Sequence, residues 1–448
     1  MMRYSLQEIV QRTGGSLLPG SDPAQEIHGV GIDSRQDLSG RLFVALRGPR
    51  FDGHDFIEAA RRAGAAAVLV QHPCAGSGVR VENPLVALQA LAAAWRRELG
   101  TPVAAVTGSC GKTSVKEILA AMLGQSGPCL ATRGNLNNHI GVPLTLAELG
   151  PEHRFAVVEM GMNHAGEIAV LTRMAAPDLA LINNAGPAHI ENLGSIAAIA
   201  AAKGEILEGL SAQGIAVING DDDYADFWAE RSPGEVWRFS LTDRPARVRG
   251  TWHPQGDGGL LELRAPQGSL SLPIPLAGRH NGANVLAAAT AALALNVRLD
   301  QIGRAVAGLK PVPGRLQWRP GKGGSRILDD TYNANPASVE AALRVLAEQP
   351  GRRYLILGDM AELGADAELH HQQIGVHARE SGIDGVFTVG RLSAATSRAF
   401  GPDATHFESQ DALLTAVPTL LGADAVVLVK GSRAARMERV VEALTEAS

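Results

Sequence analysis

The chain has 448 residues, too many for one hydrophobic core of ordinary size, since domains hold roughly 100–200 residues each. Apolar residues at 45% and charged residues at 19% describe a folded globular protein and exclude a disordered one. A formal charge of −5 provides no global field for nucleic acid or an anionic membrane surface, so an anionic substrate has to be held by local groups.

The opening MMRYSLQEIVQRTGG interleaves charged with apolar residues and has no apolar core of a signal peptide, and no long uninterrupted apolar run follows. A cytoplasmic chain with no membrane span is expected. The three cysteines, Cys74, Cys110 and Cys129, show no CxxC spacing and fit a reducing compartment without a zinc site. The apolar run LFVAL and a polar, Gly-bearing loop precede FIEAARRAGAAAVLV, which reads as helix, Gly stop and buried strand, closing a small α/β unit near Glu82. NPLVALQALAAAWRRELG, with Pro near its start and Gly at its end, is a helix leading into a second unit.

From Thr101 onward, strands VAAV, FAVVEMG, LALINNAG and IAVING alternate with helical stretches. That alternation predicts a doubly wound, mostly parallel sheet whose ligands sit at the strands' carboxyl ends. Residues 247–275 alternate in short steps and predict antiparallel strands. LKPVPGRLQWRPGKGGS, rich in Pro and Gly, marks a boundary near Pro313. RILDD, YLILGD, GVFTVG and AVVLVKG then predict a second parallel α/β unit of Rossmann type, without a GxGxxG. The expected domains are 1–82, 83–313 and 314–448.

VAAVTGSCGKTSVKEIL sets Thr107, Gly108, Ser109, Cys110, Gly111, Lys112 and Thr113 between a buried strand and a helix. Glycines there let backbone N–H groups converge on phosphate, the helix start adds its dipole, Lys112 adds a charge and Thr113 a Mg²⁺ ligand. A strict GxxxxGK[ST] pattern would need Gly where this chain has Val106. The bland alternative is a structural Gly-rich turn.

Glu159 follows a buried strand, where a carboxylate beside a triphosphate suits Mg²⁺ and would otherwise need a basic neighbour. His189, in PAHIE, suits a second metal ion, although a lone His is more often structural. Lys203 lies on a helix of mostly alanines; burial without a partner depresses its pKa, and a neutral amine can take up CO₂ to become an anionic carbamate. On its own, a lysine snorkelling to the surface is the simpler reading.

The order TGSCGKT, VVEMG, NNAGPAHIE, AAKGEI, GRHNGANVLAA resembles the Mur ligases in each central motif. The resemblance implies ATP and two Mg²⁺ ions, with Thr113 and Glu159 serving one ion, and His189 and carbamylated Lys203 the other. It makes Lys112, His189 and Lys203 the catalytic set and brings Asn281 and Asn284 near the nucleotide. The first 80 residues contain GIDSR and RGPRFDGHDFI, which resemble the family's UDP-muramoyl-binding unit. Ser34, Arg35, Gly53, His54 and Asp55 are the candidates there, although such residues are more often turn formers and surface charges. TRGNLNNHIGVPLTL, with Asn135, Asn137 and Asn138, resembles a loop facing the muramoyl-peptide.

DDTYNANPASVEAAL resembles the branch that adds D-alanyl-D-alanine to UDP-N-acetylmuramoyl-tripeptide, and the DNPR-like run of diaminopimelate-adding relatives is absent. The resemblance then implies Arg315, Asp330 and Tyr332 at the nucleotide. Asn333, Asn335, Ser338, Lys430, Ser432 and Arg433 fall at the acceptor. LGDMAELG, with Asp359 and Glu362, matches the family without an assigned role. A monomer with small-molecule substrates is expected. Two other readings stay open: a folylpolyglutamate-type or other Mur ligase with a different acceptor, and a phosphate-loop module without ligase chemistry.

Overall fold

Local chemistry sets where the helices begin and stop. In Leu6–Thr13 the Ser5 side chain accepts the Glu8 N–H while Glu8 returns a bond to the Ser5 N–H, and Gly14 ends the helix at φ +67°. Pro84–Leu99 starts on Asn83, which accepts from Leu85 and Val86, has Pro at its first turn and stops at Gly100 in the left-handed region. The computed structural model describes residues 1–187, 190–417 and 422–445.

The N-terminal part pairs Arg3–Ser5 with Glu26–His28 and forms a five-stranded sheet in the order Ser16–Leu17, Gly78–Arg80, Ala67–Val70, Leu42–Val44, Val30–Gly31. Its core gathers Met2, Leu6, Ile9, Leu42, Val44 and Leu69. The helix, Gly and buried strand expected in FIEAARRAGAAAVLV appear as Ile57–Arg62, Gly64 and Ala67–Val70.

The central sheet has nine strands. Val103–Thr107 lies between Phe155–Glu159 and Leu179–Ile182, all parallel, with Glu159 opposite Val106 and Ile182 opposite Thr107. The carboxyl ends of these three strands therefore meet at one place. Helices Lys112–Gly124 and Arg279–Ala294 cover one face through Val115, Leu119, Val285 and Leu286, while Glu167–Ala175 and Ile196–Gly204 cover the other through Leu171 and Ile199. Burial on both faces explains why these strands are continuous apolar runs.

Val248–Gln255, Gly258–Ala265 and Gly268–Ile274 form the expected antiparallel strands, yet they extend this same sheet, because Phe239 and Ser240 pair in parallel with Val248 and Arg249. Two strands of this sheet escaped the sequence reading, Cys129–Ala131 and Glu235–Ser240. The first is three residues long, and the second lacks an apolar run.

The last sheet has six strands, ordered Gln317–Pro320, Arg326–Asp330, Ala425–Lys430, Arg352–Gly358, Gly385–Val389, Ala404–Phe407, parallel except for the first pair. It docks on the central part at several points. Ala277 packs with Leu316 and Val345, and the 255–257 hairpin tip binds the other side, where Asp257 pairs with Arg326 and its C=O accepts the Trp318 Nε1–H at 3.3 Å. Among the described residues no helix is long and apolar enough to cross a membrane.

Candidate active site

A cavity of about 700 Å³ opens where the carboxyl ends of the central strands face the start of helix Pro336–Ala347. The phosphate loop forms its floor. Gly111, at φ +79°, turns the chain into helix Lys112–Gly124, whose first N–H groups have no intrahelical partner and face the cavity with the helix dipole behind them. Lys112 folds back over the loop, donating to the C=O of Gly108 at 2.7 Å and of Ser109 at 3.3 Å. Burial pushes its ammonium pKa down, so an arriving anion would be a favourable partner. Thr107 lies beneath, fully buried, with its hydroxyl donating to Met160 C=O.

Glu159 is 2% exposed. Its Oε1 accepts from Asn137 Nδ2 at 2.9 Å, while Oε2 is buried with no partner. An unpaired buried polar atom costs roughly 1–3 kcal/mol, and more when charged, so this oxygen marks a place for a cation. Opposite stands Arg315. Its guanidinium lies 4.1 Å over the Tyr332 ring, Nη2 donates to Thr113 Oγ1 at 3.2 Å, and Nε is buried without a partner, ready for an anion. Among the described residues no group of three or more His, Cys, Asp or Glu side chains gathers as a ready-made metal cage.

The cavity thus collects Ser109 to Thr113, Asn135, Asn138, Glu159, Asn281, Asn284, Arg315, Asp330, Tyr332, Asn333, Asn335, Ser338 and Lys430. Several of these already hold the protein together. Asp330 and Lys430 form an ion pair at 2.5 Å, and Lys430 also donates to Asn333 C=O at 2.9 Å. Asn335 and Ser338 are a capping box for Pro336–Ala347, and Asn138 caps the turn into Gly141–Ala147 by accepting from Ile140 and Gly141.

Lys203 lies outside the cavity lining but close under it: it is 2% exposed and its pKa falls well below the usual value through burial first and the neighbouring Lys112 second. Among the described residues it has no hydrogen-bond acceptor. The snorkelling alternative therefore does not describe it. His189 lies outside the described residues.

The N-terminal candidates are elsewhere. Arg35 is exposed and paired with Asp33 at 2.8 Å; Ser34 is half-buried and Asp55 exposed. His54 is committed on both nitrogens, to Asp52 at 2.6 Å and to the Gln71 N–H at 2.9 Å, and a side chain at Gly53 would strike the Leu46 backbone at 2.7 Å. Ser432 is buried with its N–H on Asp359 C=O, and Arg433 pairs with Glu438 at 3.4 Å. None of these lines the shared cavity. Sequence reading missed Asn183, Asn184 and His280, which do. Burial pushes the His280 pKa down to about 4, leaving a neutral imidazole. The signal for the asparagines was their position just past the strand Leu179–Ile182.

Three family models match in chain order: the Mur ligase family catalytic domain over residues 26–96, the Mur ligase middle domain over 106–292, and the Mur ligase glutamate ligase domain over 314–433. Over 452 residues the chain is 44% identical to UDP-N-acetylmuramoyl-tripeptide--D-alanyl-D-alanine ligase of Escherichia coli (strain K12), covering 100% of this chain and 99% of the relative. The chain belongs to the Mur ligase family. The ligase of the same name from Bacillus subtilis (strain 168) is 36% identical to this Mur ligase, with 100% and 99% coverage. Among solved structures, MurF from Acinetobacter baumannii superposes at a TM-score of 0.93 with 34% identity, covering 99% of this chain and 98% of that one. MurF ligase from Thermotoga maritima in complex with ADP superposes at 0.84 with 30% identity, covering 93% and 96%. Folylpolyglutamate synthase of Mycobacterium tuberculosis, at 0.65 and 18% identity over 81% of this chain and 94% of that one, shares the Mur ligase fold alone.

Proposed function

We propose that this Mur ligase uses ATP to join D-alanyl-D-alanine to UDP-N-acetylmuramoyl-tripeptide, giving the UDP-linked pentapeptide, ADP and phosphate in peptidoglycan synthesis. The observation that carries it is the cavity in which the phosphate loop and the DDTYNANP run face each other, in a chain related over its full length to ligases of that name. The relative solved with ADP supports ATP as the phosphoryl donor.

A carboxylate oxygen of the tripeptide attacks the γ-phosphorus, the bond to the β,γ-bridging oxygen breaks, and ADP leaves. The dipeptide amine then attacks the acyl-phosphate carbonyl, loses its proton, and the tetrahedral intermediate expels phosphate. Lys112, Arg315 and the N–H groups opening helix Lys112–Gly124 stabilise charge on the group in flight. Asn281, Asn284, Asp330 and Tyr332 line the nucleotide side. Asn333, Asn335, Ser338 and Lys430 shape the acceptor side of the cavity, with Ser432 and Arg433 behind it just past the strand Ala425–Lys430, and Asn135 and Asn138 toward the muramoyl-peptide.

The orphaned Glu159 oxygen and the Thr113 hydroxyl fit Mg²⁺, which keeps much of its shell for water and phosphate and needs few protein ligands. When bound, Mg²⁺ neutralises and orients the phosphates. For a second ion the chain offers His189 and Lys203, whose amine, with its pKa lowered by burial, would add CO₂ and lose a proton to become a carbamate. Residues 1–82, with Ser34, Arg35, Gly53, His54 and Asp55, hold the UDP-muramoyl group; 83–313 hold ATP and 314–448 the dipeptide. The enzyme works as a cytoplasmic monomer.

The test is phosphate release from ATP and the tripeptide nucleotide, with and without D-Ala-D-Ala. Release that depends on the dipeptide supports the assignment. Release independent of it, or equal with any amino acid, sinks it.

A further inference from the structure

The phosphate loop is held from outside itself. Because Leu179–Ile182 runs beside Val103–Thr107, the next two residues, Asn183 and Asn184, lie along the loop. The Asn184 carboxamide spans the Cys110 residue: Oδ1 accepts its N–H at 2.8 Å and Nδ2 donates to its C=O at 3.0 Å. The Asn184 backbone C=O accepts the Ser109 N–H at 3.0 Å. Asn183 Nδ2 donates both to Cys110 C=O and to Asn284 Oδ1, each at 3.0 Å. An N–H requires an oxygen and a C=O requires a hydrogen, so these partners set the orientation of both amides.

Two loop N–H groups, those of Ser109 and Cys110, are therefore turned onto the neighbouring strand, which leaves phosphate to the N–H groups at the helix start. A Cβ at Gly111 would lie 2.4 Å from Asn284 Oδ1 and 2.7 Å from Asn183 Nδ2, so the amide pair packs directly on the loop backbone. The chain of amides continues from Asn284 to Asn281 at 3.2 Å and from Asn281 to Ala277 C=O at 2.8 Å. Ala277 packs in the core of the last sheet.

We propose that Asn183 and Asn184 are positioning residues for the nucleotide. They set the backbone of a loop that lacks the Gly a strict pattern places at Val106, and through Asn284 they tie its shape to the docking of the last sheet. This rests on the nucleotide-binding reading above, which the wild-type enzyme tests by itself: ADP must raise its unfolding midpoint.

Given that, Asn184→Ala should raise KM for ATP and weaken ADP binding about fivefold or more, as expected for a lost pair of hydrogen bonds. KM for the tripeptide nucleotide and for the dipeptide should stay within about twofold, since only one substrate's site is disturbed. Asn184→Asp keeps the acceptor for Cys110 N–H but sets a carboxylate against its C=O, and should be at least as impaired. A smaller rise for ATP, or equal rises for all three substrates, overturns the proposal. Should Asn184→Ala not fold, as read from its circular dichroism and unfolding midpoint, Asn183→Asp decides on the same criteria.

Discussion

Lys203 lies in the last turn of a helix of mostly alanines, 2% exposed and without an acceptor among the described residues. A cation there is costly, and its depressed pKa follows from burial and from Lys112. If it works as a carbamate, Lys203→Ala loses activity by about 100-fold or more, and small carboxylic acids partly restore it by placing an anionic oxygen in the gap. Lys203→Arg stays charged and is not restored. Wild-type turnover by the alanine variant rejects the role. Lys430 is the contrasting case, a buried cation already paired to Asp330. Removing one partner strands the other charge, so Lys430→Met should cost about 3 kcal/mol in urea unfolding, and adding Asp330→Asn should recover part of it. Equal losses in single and double variants would deny the coupling. The buried His371 accepts the Met360 N–H on Nε2 at 3.0 Å and bonds Ala367 C=O through Nδ1, an arrangement for a neutral ring, and burial lowers its pKa from 6.5. The unfolded chain then binds this proton at higher pH than the folded one does. Stability is full above 6.5 and falls as pH drops below it. His371→Asn should flatten that slope in unfolding midpoints taken between about pH 7 and pH 5, and an unchanged slope would contradict it.

Elements were legible where their pattern was long or punctuated. The phosphate loop, its strand and its helix follow from VAAVTGSCGKTSVKEIL, because a buried run, glycines and a helix start each leave a local mark. Cys129–Ala131 left none, being short, and Glu235–Ser240 alternates too weakly to stand apart. The site was legible where motif residues enter the cavity directly, as Lys112, Glu159 and Arg315 do. It was not legible for Asn183 and Asn184, whose role comes from pairing Leu179–Ile182 beside Val103–Thr107, a long-range fact. Nor do motifs separate binding from capping. Asn335 and Ser338 stand in the DDTYNANP region as acceptor candidates, yet their side chains start helix Pro336–Ala347. Asn335→Ala should therefore cost about 1 kcal/mol whatever its part in binding, whereas Asn335→Asp keeps the cap. A KM for the dipeptide that rises in the aspartate variant at unchanged stability assigns the residue to the acceptor as well.

At the scale of the molecule, the cavity exists because the last sheet docks on the central one. Arg315 reaches Thr113, Ala277 packs with Val345, and the Asp257 tip holds Arg326 and Trp318. The domain boundary expected near Pro313 carries left-handed backbone at Gly314, φ +70°, and Leu316, φ +51°. Exposed ion pairs are worth at most about 1 kcal/mol, so Asp257→Ala should hardly move the unfolding midpoint. It should shift the population toward separated domains, seen as a larger radius of gyration by small-angle scattering that ATP and the tripeptide nucleotide reverse. An unchanged radius would remove the Asp257 contact from that account. The most direct measurement is the mass of the product formed from ATP, Mg²⁺ and UDP-N-acetylmuramoyl-tripeptide with an equimolar mixture of D-Ala-D-Ala, single amino acids and glutamate. The ligase described here yields one new nucleotide, heavier by the dipeptide less one water, with one ADP per product. A product extended by a single amino acid or by glutamate, or ADP formed with no extended nucleotide, would contradict it.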